Sequence, residues 1–199
     1  MSRFETYPIT YRARRIESRF LVMAGSVSPL FQPIKVGRAT LQHRVAMAPL
    51  TRRRSPNHVP TDLVAEYYEQ RASRPGTLII TEAAFIAKKA GGLSGAPGIW
   101  SQEQITAWKK VFDRIRAKQS FAFVQLWALG NRAYIPDLEE DGIKNYYVSA
   151  SDVKARDDTP NPRPLTKSEI KEYIELYAQA AKNAIAAGAS GVELHSANG

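Results

Sequence analysis

A chain of 199 residues, 44% hydrophobic and 24% charged, is long enough to bury a core as one globular domain. It has no Cys, which excludes disulfides and thiolate metal sites and fits a reducing compartment, and no apolar run approaches the roughly twenty residues of a membrane-spanning helix. The net charge of +9 is scattered, apart from Arg52-Arg53-Arg54, which reads as a solvated loop or as a phosphate contact.

Residues 1–22 differ from the rest. Arg3, Arg12, Arg14, Arg15 and Arg19 face only Glu5 and Glu17, and no periodicity is visible. They read as an extension: a mitochondrial-type presequence, a disordered tail, or residues upstream of a start at Met23. The domain is then 23–199, cytoplasmic unless 1–22 directs it to mitochondria. Ile34-Lys35-Val36 and Ala39–Leu41 around Gly37-Arg38 predict a small hairpin.

A regular alternation follows. Arg44–Ala48 reads as a buried strand running into Pro49-Leu50-Thr51. A helix is expected from about Thr61, with Thr61 as its cap and Val64, Tyr67, Tyr68 and Ala72 as its apolar face. Thr77–Ile80 is the second strand. Ser101 and Gln104 form a capping box for a helix with Ile105, Trp108, Val111, Phe112 and Ile115 at helical spacing. Phe121–Val124 is the third strand. Thr166 and Glu169 cap a third helix whose buried stripe is expected to be Ile170, Ile174, Tyr177, Ala181 and Ile185, and Gly188 suits its C-terminal cap. Gly191–Leu194 is the fourth strand.

Strands alternating with helices predict right-handed crossovers and a parallel sheet, an α/β fold. The long connections all follow strands: the Gly-rich 84–100 and the stretch 126–165, whose Pro160, Pro162 and Pro164 favour an extended path. Plain turns at one end and elaborated loops at the other are the pattern of a βα barrel, in which ligands bind at the C-terminal ends of the strands. Those ends carry Thr51, Glu82, Gln125, and His195 with Asn198.

Each has a plain structural reading. A strand-end His is more often structural than catalytic, Asn198 is a typical turn residue, Thr51 can simply end a strand, and Trp127 can pack in the core. Taken together, His195 and Asn198 are adjacent donors able to polarise a carbonyl oxygen or bind an anion. Gln125 offers a donor and an acceptor to a heterocycle edge, and Trp127 a flat wall. The sequence has no Gly-x-Gly-x-x-Gly opening a helix, no Walker A segment and no His pair at zinc spacing, so no metal is expected.

Several of these segments carry a resemblance. Ala46-Met47-Ala48-Pro49-Leu50-Thr51-Arg52, Glu66-Tyr67-Tyr68-Glu69-Gln70-Arg71-Ala72, Ile79-Ile80-Thr81-Glu82-Ala83, Gly95-Ala96-Pro97-Gly98-Ile99-Trp100-Ser101, Val124-Gln125-Leu126-Trp127 and Gly191–Gly199 resemble, in order and spacing, motifs of the old yellow enzyme family of FMN-dependent ene-reductases. The resemblance runs from about Pro29 to Gly199. It implies a TIM barrel holding one FMN, reduced by NAD(P)H, whose N5 passes hydride to the β-carbon of an α,β-unsaturated carbonyl compound. It further implies that Thr51 hydrogen-bonds the flavin carbonyl near N5. Pro49 and Leu50 would approach the ring through their backbone, Ala83 would lie beside it and Gln125 would contact its pyrimidine edge. His195 and Asn198 would hold the substrate oxygen, and Trp127 would line the substrate cavity.

In the family a Tyr two residues beyond the Asn protonates the substrate, and later strands bring an Arg and the phosphate site; here Gly199 is the last residue. The expectation is therefore the N-terminal half of a (β/α)8 barrel, about four strands and three helices. Open edges on the first and fourth strands should favour self-association or a complementary C-terminal half. Val45, Met47, Ile79, Phe121, Phe123 and Val192 are the apolar residues expected to lack partners. The partner of the site is an enone-type small molecule, with no membrane and no nucleic acid. The alternatives are an inactive portion of such an enzyme, or a basic protein that binds nucleic acid through Arg52–Arg54 and the N-terminal arm.

Overall fold

The computed structural model describes residues 28–197. The extension at 1–22, the start at Met23 and Asn198 lie outside the described residues. The elements are β1 (Ile34–Val36), β2 (Ala39–Leu41), β3 (Ala46–Met47), α1 (Asp62–Arg71), β4 (Leu78–Ile80), β5 (Ala84–Phe85), α2 (Gln102–Ala117), β6 (Phe121–Trp127), α3 (Ile135–Glu140), β7 (Val148–Ser149), β8 (Arg163–Pro164), α4 (Lys167–Ala187) and β9 (Gly191–Leu194).

The four expected strands pair in parallel in the order β3, β4, β6, β9, although the first, expected buried over Arg44–Ala48, is only Ala46–Met47 and is exposed apart from half-buried Met47, because no strand pairs with its outer side among the described residues. β5 continues the line of β4 along the same side of β6, because Leu78 pairs with Phe121 and Ala84 with Leu126. Six residue steps on one strand therefore face five on the other. The extra residue makes a bulge in Thr81–Ala83, a device that re-aims side chains beside functional sites. Thr81, Glu82 and Ala83 are all buried there.

One face of this sheet is covered by helices. Tyr68 of α1, Trp108, Val111, Phe112 and Ile115 of α2, and Ala180, Ala184 and Ala187 of α4 pack on Ile79, Val124 and Leu126. On the other face the hairpin β1–β2 acts as a plug. Ala39 and Leu41 pack on Leu78, with Ile80, Phe121 and Phe123 half-buried around them. The set expected to lack partners is corrected accordingly. Ile79, Met47 and Val192 belong to the helix side, Phe121 and Phe123 pack on the hairpin cluster, and Val45 is left exposed. Alternation along each strand sends neighbours to opposite faces, and the sequence does not say which face a plug will cover.

Both capping boxes form. Ser101 Oγ accepts from Gln104 N–H at 3.2 Å, and Thr166 Oγ1 accepts from Glu169 N–H at 3.2 Å. Gly188 ends α4 at φ 104°, a conformation open to glycine without strain. Thr61 sits at the N-cap of α1 but makes no cap bond; its hydroxyl donates to Arg54 O at 3.1 Å, tying down the preceding loop.

The stripe expected to be buried on α4 is also corrected. Ile170, Ile174 and Ile185 are exposed, Ile174 by 64%, while Tyr177 and Ala181 of the expected stripe are half-buried against the core and Ala180, Asn183, Ala184 and Ala187 are buried in it. Small residues let the helix lie close to α2 and β6, and the buried amide is satisfied by donating to Ile99 O at 2.8 Å. The long connection is built rather than extended. β6 runs on to Trp127, α3 follows, and β7 and β8 pair in parallel.

Three loops at the C-terminal edge are pinned together. His58 Nδ1 lies 2.7 Å from Ala96 O and its Nε2 3.2 Å from Asp141 Oδ2. Asp137 Oδ2 accepts from Ser94 N–H at 2.6 Å, and Gly92 O accepts from Tyr134 N–H at 2.8 Å. At Gly92, φ is +106° and a Cβ would lie 2.6 Å from that of Ala133, so the loop fits here only without a side chain.

Candidate functional site

Thr51, Ala83 and His195 follow the C-terminal ends of β3, β4 and β9, and Gln125 lies within β6 two residues before its end. β6 and β9 are in register so that Gln125 faces Glu193. Gln125 is buried, and its Nε2 donates to Glu193 Oε1 at 2.8 Å. A carboxylate only accepts, so this contact fixes which way the amide points. The ladder continues one residue further, where His195 N–H donates to Leu126 O at 3.0 Å.

Trp127 and His195 meet at this edge, with ring centroids 5.4 Å apart and planes at 34°. The other side of Trp127 stacks on buried Phe85, centroids 5.4 Å apart and planes at 26°. The indole is thus held between a core aromatic and the imidazole, partly exposed. Leu50 and Thr51 are exposed and Pro49 is partly so, while Ala83 is buried behind them in the bulge. Asn198 lies outside the described residues.

Two acidic residues given no role from the sequence, Glu82 and Glu193, stand behind this edge. Glu82 is fully buried; its Oε2 accepts from Arg52 N–H at 3.0 Å, and its own N–H donates to Tyr68 Oη at 2.6 Å. Burial pushes the Glu82 carboxyl up from the usual range, opposed by the backbone N–H groups of Arg52 and Arg53. Burial, with Glu82 beside it, also pushes Tyr68 well above its ordinary value. Glu193 is the second. The signal for both was an acidic residue inside an otherwise apolar strand end, Ile80-Thr81-Glu82-Ala83 and Val192-Glu193-Leu194.

The arginine run is drawn into the chain. Arg53 donates from Nε to Ser94 O at 2.9 Å and from Nη2 to Ser94 Oγ at 3.0 Å, and the Arg52 guanidinium lies 5.3 Å from the Tyr67 ring. A groove of about 810 Å³ runs past Val45, Ala46, Met47 and Leu50. It follows the open side of β3 and holds none of Gln125, Trp127 or His195. Among the described residues no cluster of His, Asp and Glu has metal-binding geometry, and no helix is long and apolar enough to cross a membrane.

The sequence pattern of the NADH:flavin oxidoreductase / NADH oxidase family matches residues 29–199. The chain is 52% identical over 174 residues to "NADP-dependent oxidoreductase lnbE" of Aspergillus flavus, covering 87% of this chain and 46% of that protein. It is 49% identical over 182 residues to "Enoate reductase 1" of Kluyveromyces lactis, covering 85% and 45%. It is 48% identical over 176 residues to "Probable inactive reductase easA" of Epichloe festucae var. lolii, covering 87% and 46%. Old Yellow Enzyme from Pichia sp. AKU4542 superposes with a TM-score of 0.80 at 36% identity, over 84% of this chain and 46% of that one. The chain spans about half the length of these relatives, and its parallel sheet with covering helices corresponds to about half of a TIM barrel. With the family pattern spanning nearly all described residues and the fold matching, the chain belongs to the NADH:flavin oxidoreductase family of old yellow enzymes.

Proposed function

We propose that this chain forms the flavin-ring and substrate-oxygen side of an FMN-dependent, NAD(P)H-driven ene-reductase. The observation that supports the reading is the pairing of β6 with β9, which brings Gln125 to Glu193 and Trp127 to His195, with Thr51 following β3 and Ala83 following β4 in the same parallel sheet. The residues fit a flavin ring chemically. Exposed Leu50 and half-exposed Trp127 offer apolar surface, Ala83 takes little space, and Thr51 and Gln125 offer hydrogen bonds to a polar edge.

A bound FMN would supply hydride transfer from NAD(P)H to the β-carbon of an α,β-unsaturated carbonyl compound. The chain's own groups supply orientation and electrostatics. The Thr51 hydroxyl donates to a ring carbonyl. One hydrogen of the Gln125 amide nitrogen goes to Glu193, which turns the carbonyl oxygen to where it would accept from an imide N–H. His195, braced by Trp127, donates to the substrate carbonyl oxygen together with Asn198. A donor aimed where negative charge develops lowers the barrier to hydride addition at the far end of the conjugated system. Trp127 bounds the substrate space.

The experiment is a titration of lumiflavin, the bare ring, with the purified chain, followed by a phenol as a mimic of the enolate oxygen. Saturable quenching of flavin fluorescence, and phenol binding that weakens in His195→Ala, support the reading. Absence of both removes it. A second reading, a member of the fold that binds the ring but does not turn over, is favoured by the similarity to a reductase whose name marks it inactive. Ring binding without anaerobic bleaching of the flavin by NADPH or NADH would select it.

A further inference from the structure

A carboxylate that is fully buried with one bare oxygen is expensive to keep. Glu82 is such a group: it is 0% exposed and its Oε1 has no hydrogen-bond partner. The cost raises the question of what the other oxygen does. Oε2 accepts from the backbone N–H of Arg52, the residue after Thr51. From within the bulge at Thr81–Ala83, the carboxylate therefore reaches from the end of β4 to the loop that leaves β3. Tyr68 holds the other end of the connection: its Oη accepts from Glu82 N–H, and its ring packs in the core against Trp108, centroids 6.4 Å apart.

From these contacts we infer that Glu82 is the positioning residue that fixes Thr51 for the ring of a bound flavin, with Tyr68 anchoring Glu82 to α1. The inference rests on the flavin reading above for what is positioned, and on the geometry for what does the positioning. Thr51 is exposed at the strand end, and β3 pairs with β4 only over Ala46 and Met47, so the sheet ladder stops before Thr51. The contact from Glu82 to the adjacent amide replaces the missing ladder. The raised carboxyl and phenol are what such burial produces.

The test separates positioning from mere support of the fold. Glu82→Leu fills the same space without an acceptor, and replacing a poorly satisfied buried carboxylate by an apolar group is often neutral or stabilising. The expected result in the 199-residue chain is an unfolding midpoint in urea equal to or above that of the native chain. The Arg52 amide should exchange its hydrogen roughly tenfold faster or more, with the amides of α2 unchanged. Lumiflavin affinity should fall by about tenfold in the same variant. Glu82→Gln, which keeps one acceptor oxygen, should recover most of the Arg52 protection and most of the affinity.

Native exchange at Arg52 in Glu82→Leu, or faster exchange spread evenly over α2, would overturn the inference. So would native lumiflavin affinity in Glu82→Leu, which leaves the flavin reading intact. If no version of the chain binds lumiflavin while Arg52 exchange follows the expected pattern, the flavin reading fails and the placement of the loop by Glu82 stands.

Discussion

Gln125 on β6 donates its Nε2 hydrogen to Glu193 Oε1 on β9 across 2.8 Å, at a matched position of two parallel strands. The consequence is polarity: the free end of the amide is an acceptor. A ring bearing an imide N–H should therefore bind better than its N-methylated analogue. The chain should prefer lumiflavin to 3-methyllumiflavin by about tenfold, the worth of one hydrogen bond that would otherwise go unmade. Glu193→Leu frees the amide to turn over, and the preference should shrink to about twofold or less. Equal binding of the two flavins by the native chain would show that Gln125 does not face that edge.

His195 and Trp127 touch each other at the same edge. His195→Ala should weaken phenol binding to the flavin-loaded protein by about tenfold and leave flavin affinity within about twofold. Trp127→Ala should weaken phenol binding as well, since it removes the wall against which the imidazole rests. Unchanged phenol affinity in His195→Ala, measured by equilibrium titration, would remove the residue from the substrate site.

The fold's stability should depend on pH in two opposite senses. Glu169 is held down at about 2, by its hydrogen bond with Arg163 and by the Thr166 N–H of the capping box. A depressed carboxyl stabilises the folded state above the unfolded value of 4.5, and that contribution is lost as pH falls from there through about 2. Glu82 is raised by burial, so its contribution is present below 4.5 and is lost as pH rises through its folded-state value. Thermal midpoints measured across the acid range should show Glu169→Gln flattening the acid loss. Glu82→Gln should reduce the loss on the rising side. A Glu169→Gln profile identical to the native one would exclude the ion pair as a source of acid sensitivity.

Two substitutions on α4 distinguish its faces. Ile174 is exposed and Ala184 is fully buried. Ile174→Ala should change unfolding free energy by less than about 0.5 kcal/mol. Ala184→Leu should destabilise by about 1–3 kcal/mol, because the helix cannot move away from α2 and β6 without opening the core. Urea unfolding decides it, and the reverse order would restore the isoleucine stripe as the packing face.

The sheet of four parallel strands has β3 and β9 as its outer members, and Val45, Leu50 and Leu194 are exposed along or beside them. Unpaired strand edges flanked by apolar side chains recruit further strands. Sedimentation of the 199-residue chain should show concentration-dependent association, reduced by Val45→Lys. A monomer at all concentrations would contradict it.

Much of the architecture was legible because it is written in local chemistry. Ser101 with Gln104 and Thr166 with Glu169 mark helix starts by the bonds they make, and Gly188 marks an end by the φ it adopts. The strand-end residues were legible as a group because parallel strands put their C-terminal ends together. The bulge at Thr81–Ala83 was not, since it depends on which residues of β6 are opposite. The face of α4 was not either: the pattern of large apolar residues points to Ile170 and Ile174, while close packing selects the alanines. Thr61 has the residue type of a cap, yet its hydroxyl donates to Arg54 O and its oxygen accepts nothing from the first turn of α1. The roles of Glu82 and Glu193 emerge only from partners that lie 30 and 68 residues away in sequence.

The central claim is that these strand ends form a site for the ring of a flavin. None of the residues assigned to hold the ring (Pro49, Leu50, Thr51, Ala83 and Gln125) is basic, so binding here should not distinguish a flavin with a phosphate from one without. The most direct measurement is fluorescence titration of the 199-residue chain with FMN and lumiflavin in parallel. The account predicts saturable quenching with both. The two affinities should agree within about threefold, each weakened by about tenfold in Gln125→Ala, and FMN should be lost on gel filtration. Quenching by neither flavin, or tight stoichiometric FMN retention that Thr51→Ala and Gln125→Ala leave unchanged, would contradict it.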